Sequence, residues 1–151
     1  MSKTYSFLDV LATISGVGGQ INLTGCAAKE GITIVGTTDK NIMTIGAGGC
    51  VMHSLSGDDS ATINVVLLKS SGINAQLMQM YNTQKKSSAT WGQNTISIKD
   101  IARGDDITAT DVAFGKPPDL NYAEDGGTVT WPFHAGKVDT IIGSGTAEKE
   151  V

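Results

Sequence analysis

Aromatic side chains make up only 5% of this 151-residue sequence. That scarcity argues against a protein that works by stacking on unpaired bases. Proline is also sparse, at 3 residues against 19 glycines, so turns and bulges fall mainly to glycine. No segment approaches the roughly 18 apolar residues of a membrane-crossing helix, and membrane insertion by this chain is not expected. The opening MSKTYSFLDVLATIS does not have the form of a secretory signal: Asp9 breaks a short apolar run, and no small-residue cleavage site follows. The two cysteines, Cys26 and Cys50, read as small buried thiols kept reduced in a cytoplasm, although one pair could form a disulfide.

Positive charge is scarce as well. Eleven Lys and Arg stand against fifteen Asp and Glu, giving a formal charge of −4. A protein that grips nucleic acid displays a basic stripe that releases counterions from phosphate. The nearest thing here is Lys85-Lys86, which falls where a helix would end and where the helix dipole favours cations. Tight DNA binding is disfavoured; letting DNA pass without holding it is not.

The usual signatures of chemistry are missing too. His53 and His134 are far apart, and neither CxxC nor HxxxH occurs, so no metal or other cofactor is expected. GVGGQ and GAGG lack the strand–turn–helix setting of a dinucleotide site and read as hairpin turns. GITIVGTT, from Gly31, has the glycine spacing of a phosphate loop but places Thr37 where the lysine belongs. Asp58-Asp59, Asp105-Asp106 and Glu124-Asp125 could bind Ca²⁺ or act as acid/base pairs, but acids in turns are usually solvated. His134, after Trp131-Pro132-Phe133, reads as a packing residue. The residues do not ask for an enzyme.

What is present is a series of short strand patterns. Hydrophobic residues at 40% and charged residues at 17% describe one folded domain, taken here as residues 1–151. Tyr5, Phe7, Val10, Ala12 and Ile14 suggest a first strand that slips near Leu8-Asp9. Further strands are expected around Ile21 and Leu23, Ile32 and Ile34, Ile42 to Ile45, and Val51 to Leu55. Ala61 to Leu67, Thr95 to Ile101, Ile107 to Phe114, Thr128 to Phe133 and Val138 to Ile142 complete the set. One segment switches period: Ile73, Leu77, Met80 and Tyr81 fall at helical spacing, with Ser71 as a plausible N-cap. A lone amphipathic helix must bury its stripe on the sheet. The expected fold is mainly β (α+β): an antiparallel sandwich or barrel with one flanking amphipathic helix.

Several stretches carry a resemblance: TYSFLDV (4–10), EGITI (30–34), DKNIMTIGAGGCVMHS (39–54), LLKSSGINAQLMQMYNTQ (67–84), SSATWGQNTISIKDIARGD (87–105) and AEDGGTVTWPFHAGKVD (123–139). From about Thr4 to Gly143 the chain resembles the tail tube proteins of contractile-tailed bacteriophages. The resemblance implies hexameric rings stacked helically into a tube inside a contractile sheath, guiding DNA from capsid to host without binding it specifically. It further implies partnership with the sheath protein, with tail initiator or baseplate proteins and with a terminator. The chain would be made in the host cytoplasm and reside in the virion tail, and its length leaves no room for an added immunoglobulin-like domain.

That role gives the pattern a use. Exposed strand edges become assembly sites when neighbours pair with them, and Tyr5 and Phe7 are expected to make edge-strand contacts. The Asp39–Ser60 segment is a candidate arm to the adjacent ring through Lys40, Ile42, Met43, Ile45, Met52, His53, Asp58 and Asp59, or else an ordinary surface hairpin. Ile73, Leu77, Met80 and Tyr81 would pack the helix on the sheet, outside a continuous inner β wall. Acids on that wall would repel phosphate and let DNA slide. The alternatives are another virion structural or decoration protein, a secretion-type tube subunit, a monomeric ligand-binding β-barrel, and, more distantly, a small hydrolase.

Overall fold

A computed structural model describes residues 4–24 and 27–143. The chain forms β1 (Val10–Gly16), β2 (Gly19–Asn22), β3 (Ala27–Gly36), β4 (Asn41–Ile45), β5 (Val51–Leu55), β6 (Ala61–Leu68), α1 (Ile73–Gln84), β7 (Asn94–Asp100), β8 (Asp105–Phe114) and β9 (Thr128–Ile141). Among the described residues, seven strands make one antiparallel sheet in the order β2-β1-β7-β8-β9-β6-β3, while β4 and β5 pair with each other in a separate two-stranded sheet.

Alternation sets which side of the large sheet is buried. Along β6, Ala61, Ile63, Val65 and Leu67 point into the core, and Thr62, Asn64, Val66 and Leu68 point out. β7 and β9 repeat the pattern with Ile96 and Ile98, and with Val129, Trp131, Phe133 and Ala135. Each fully buried Leu, Ile or Phe contributes roughly 1.5–3 kcal/mol relative to exposure. The sheet also curls: Ile32 and Ile34 of edge strand β3 line one apolar cleft with Val10, Ile98 and Ile107 from β1, β7 and β8.

The helix lies where its stripe requires. Leu77 and Met80 are buried in the core, and Ile73 and Tyr81 pack against it. Tyr81 meets the edges of Trp91 and Phe114 at centroid distances of 5.9 and 5.5 Å, and Phe114 in turn contacts Trp131 and Phe133. The Trp131 indole N–H donates to Asn74 Oδ1 at 3.0 Å, tying the first helical turn to β9. Ser71 precedes the N-cap, Gly72, by one residue, and its hydroxyl accepts from the Ile73 N–H at 3.2 Å. Lys85 is the C-cap, and its ammonium lies over the Tyr81 ring.

Several expectations change. Tyr5 and Phe7 are not on an edge strand: residues Phe7–Asp9 form a 3-10 turn whose first amides are capped by Ser6, and pairing begins only at Val10. The true edges of the large sheet are β2 and β3. Among the described residues the sheet does not close into a barrel, because β2 and β3 are not hydrogen-bonded to one another. The two strands expected after Thr128 are one, since β9 keeps an unbroken register with β8 past Gly136, while the irregularity at Asp111 (φ 54°) lies in the pairing of β8 with β7. Cys50 is exposed rather than buried, because it sits at the tip of the β4–β5 hairpin; Cys26 lies outside the described residues. His134 is exposed on the outer side of β9 and lies over Gly115 instead of packing in the core.

Candidate assembly surfaces

The β4–β5 hairpin is the feature that a solitary chain explains least well. Its sequence alternates too poorly to have one dry and one wet face. Met43, His53, Ile45, Val51 and Leu55 share one side, and Ile42 and Met52 are on the other. Every residue of both strands is exposed, with Ile42 at 63%, Ile45 at 60% and Leu55 at 85%. Scattered surface apolar residues are ordinary, but a contiguous set on a projecting two-stranded ribbon marks an interaction site. A two-stranded hairpin alone is at best marginally stable in water.

Polar contacts at its base hold the ribbon in place. Asp58 Oδ1 accepts from the Ser60 N–H and hydroxyl at 2.9 and 2.6 Å, while Oδ2 accepts from the Thr38 hydroxyl at 2.8 Å. These bonds to the ionised form, led by the Ser60 hydroxyl, lower the Asp58 pKa to about 2. Lys40 Nζ donates to the Ser56 carbonyl at 2.7 Å and pairs with Asp59 at 2.8 Å. Outgoing and returning chains are thus joined side chain to chain just after the chain leaves β3 and just before it enters β6. At mid-ribbon, Asn41 Nδ2 is 3.2 Å from His53 Nδ1.

Lys40, Ile42, Met43, Ile45, Met52, His53, Asp58 and Asp59 therefore lie on one projection, with Asp58, Asp59 and Lys40 at its root and the apolar residues beyond. Val51 and Leu55 belong with them and were legible from the same run of apolar residues. Tyr5 and Phe7 lie elsewhere, on the cleft shared with Ile32 and Ile34, where the Phe7 ring packs over Gly31. Asp105-Asp106 open β8 and Glu124-Asp125 lie in an exposed loop, so the acid pairs do not converge. Among the described residues no group of His, Cys, Asp and Glu could hold a metal ion.

Sequence reading missed two buried polar features. Gln84, at the last helical position, and Asn94, at the start of β7, are both fully buried and hydrogen-bonded to each other. Arg103, in the β7–β8 turn, reaches back to Asp100 at 3.2 Å, stacks over Tyr5 and is only 8% exposed. The i, i+3 spacing of Asp100 and Arg103 was the available signal for the second.

The mainly antiparallel sheet with one helix on its core side is similar in fold to components of contractile injection systems. The sheath/tube terminator of an extracellular contractile injection system, PVC, superposes with a TM-score of 0.61 at 12% identity, covering 93% of this chain and 99% of that one. A chain of the PVC sheath-tube complex in its extended state gives 0.57 at 10% identity, with 92% of each chain covered. The tube-terminating cap of the anti-feeding prophage gives 0.55 at 8% identity, covering 94% of this chain and 93% of that one. No curated protein matches by sequence. The profile of the Bacteriophage PhiTE tail tube protein family matches residues 1–143, and the chain belongs to that family. It is accordingly a structural component of a phage tail, from a family of tube proteins rather than enzymes.

Proposed function

We propose that this chain, as one tail-tube-like domain, assembles into hexameric rings that stack helically into the tail tube through which DNA leaves the capsid for the host. The observation that carries the reading is the wholly exposed apolar β4–β5 hairpin beside a sheet with two unpaired edges. Head-to-tail contacts that close make a ring, and contacts that do not close extend a stack. The edges β2 and β3 serve lateral pairing between subunits. The hairpin, through Ile42, Met43, Ile45 and Met52, reaches the adjacent ring, and Lys40, Asp58 and Asp59 hold its root. Pairing along the edges makes one continuous β wall, with α1 on its outer side under the sheath. Chains are made in the host cytoplasm and polymerise from a tail initiator or baseplate until a terminator stops growth.

Light scattering with negative-stain imaging of the purified protein tests this. Rings of six 15.7 kDa chains, or tubes at high concentration, are the expected products. A species that stays monomeric with the initiator complex present overturns the proposal. A second reading, a tube subunit of an injection machine that carries protein, is favoured by the fold shared with extracellular injection systems. Purified particles distinguish the two: a DNA-filled capsid at the tube's end supports the first, and its absence supports the second.

A further inference from the structure

The large sheet has one face covered by its own core and helix and another that this chain leaves bare. On the bare face, register places hydroxyl and amide side chains in rows across neighbouring strands. Asn22 of β2 pairs with Thr13 of β1, Thr13 with Ser97 of β7, and Ser97 with Thr108 of β8. A second row runs Gln20–Ser15–Thr95 over β2, β1 and β7. None of these residues is buried, and none is ionisable. The next row, Leu11–Lys99–Asp106, adds one exposed leucine and one pair of opposite charges that cancel, and on β9 Asp139 stands opposite Thr108 and Lys137 opposite Thr110. The formal charge of −4 is therefore not concentrated here.

This composition is unusual for either ordinary fate of a sheet face. A face built to be buried by another protein would carry apolar residues, as the hairpin does. An ordinary solvated face mixes Lys and Glu freely. Short hydroxyl and amide side chains keep a surface wet and smooth while giving a polyanion neither counterions to release nor fixed charge to climb past.

We infer that the Thr13–Ser97–Thr108 face of β2-β1-β7-β8 is the channel wall, and that it passes a nucleic-acid duplex by being nearly uncharged rather than by acidic repulsion. The inference rests on the conduit reading above and deepens it by naming the wall and its chemistry. It replaces the acid-lined wall that net charge alone suggests. The bare face lies opposite α1, so the helix and the channel occupy opposite sides of the same strands.

Two measurements on assembled tubes test it. Helical reconstruction of wild-type tubes is expected to show Thr13, Ser97 and Thr108 directed at the axis. These residues on the outer surface or within a subunit contact would overturn the inference while leaving the tube intact. Co-sedimentation of a short fluorescent duplex with tubes at low and moderate salt then tests the chemistry. Wild-type tubes are expected to retain little duplex at either salt. Tubes of Ser97→Lys, or of Thr108→Lys if the first does not assemble, are expected to retain on the order of tenfold more at low salt and to release it as salt rises. Strong retention by wild type, or no gain in both lysine variants, overturns the uncharged-wall mechanism. Wild-type protein that forms no tube with its initiator removes the conduit reading and this inference together.

Discussion

Gln84 and Asn94 exchange two hydrogen bonds inside the core: Gln84 Nε2 donates to Asn94 Oδ1 at 2.7 Å, and Asn94 Nδ2 donates to Gln84 Oε1 at 2.9 Å. Gln84 Nε2 also donates to the Val17 carbonyl at 2.8 Å, so one amide joins the helix end, the β1–β2 turn and β7. A buried amide left without its partner costs its full desolvation, whereas a satisfied pair costs little.

The variant Gln84→Leu removes one member and strands the Asn94 amide and the Val17 carbonyl. It is expected to lose about 1–3 kcal/mol of stability in urea denaturation. The double variant with Asn94→Leu should recover part of that loss, and strictly additive losses would show that the amides are not coupled.

Gly16 lies against the same pair. A Cβ built there would stand 1.9 Å from Asn94 Oδ1, an overlap that only displacement of the amide can relieve. Gly16→Ala is therefore expected to destabilise by roughly 1–3 kcal/mol, as overpacking does. Combined with Asn94→Ala, which clears the space, the change should cost less than in the wild-type background. Equal thermal-melt penalties in both backgrounds would refute the clash.

The hairpin root should respond to acid. Asp58 has a folded pKa of about 2 against the ordinary 3.8, so the ionised form is favoured by the fold. The stability this adds is present above about pH 4 and is lost as pH falls towards 2. NMR of the chain between pH 5 and 2 is expected to show the root of β4–β5 loosening before the core. Ser60→Ala should move the Asp58 titration upward, because the Ser60 hydroxyl is the largest influence on it. An unchanged titration midpoint would argue against the bonding seen at this root.

Hairpin substitutions should separate assembly from folding. Ile42 and Met52 are 63% and 58% exposed, so Ile42→Asp with Met52→Asp leaves the core untouched. The expected result is an unchanged thermal melt and loss of tubes by light scattering. Core substitutions should do the reverse at the level of the monomer: Leu77→Ala is expected to cost about 2–5 kcal/mol. Tubes formed normally by the hairpin variant would remove the β4–β5 arm from the interface.

Most of the fold was legible because burial in a sheet imposes period two and burial of a helix imposes 3.6. Ile63, Val65 and Leu67 declare a strand whatever lies beside them, as Leu77 and Met80 declare a helix face. Order within the sheet was not legible, since β1 beside β7 and β6 beside β9 are long-range pairings that no local pattern encodes. Tyr5 and Phe7 alternated like a strand, but Ser6 caps a 3-10 turn there and the bonding begins at Val10. For the assembly surfaces, the apolar content of residues 42–55 was visible. That the residues would stand exposed on both sides of a ribbon was not, because period two says which residues share a side and not whether anything covers it. The wall face went unseen for the opposite reason: threonines and serines spread over four strands become a surface only once register aligns them.

The placement of β4–β5 has one more consequence. The hairpin is inserted between β3 and β6, which are already antiparallel neighbours: Gly36 lies opposite Ala61, and the Thr37 N–H donates to the Ser60 carbonyl. A two-residue turn could bridge that gap, so the arm is a detachable module on a sheet that closes its own ladder without it. In the assembly proposed above, such a shortened chain would keep its lateral edges but lose the ribbon offered to the next ring, and mixed into a growing fibre it would act as a chain-stopper.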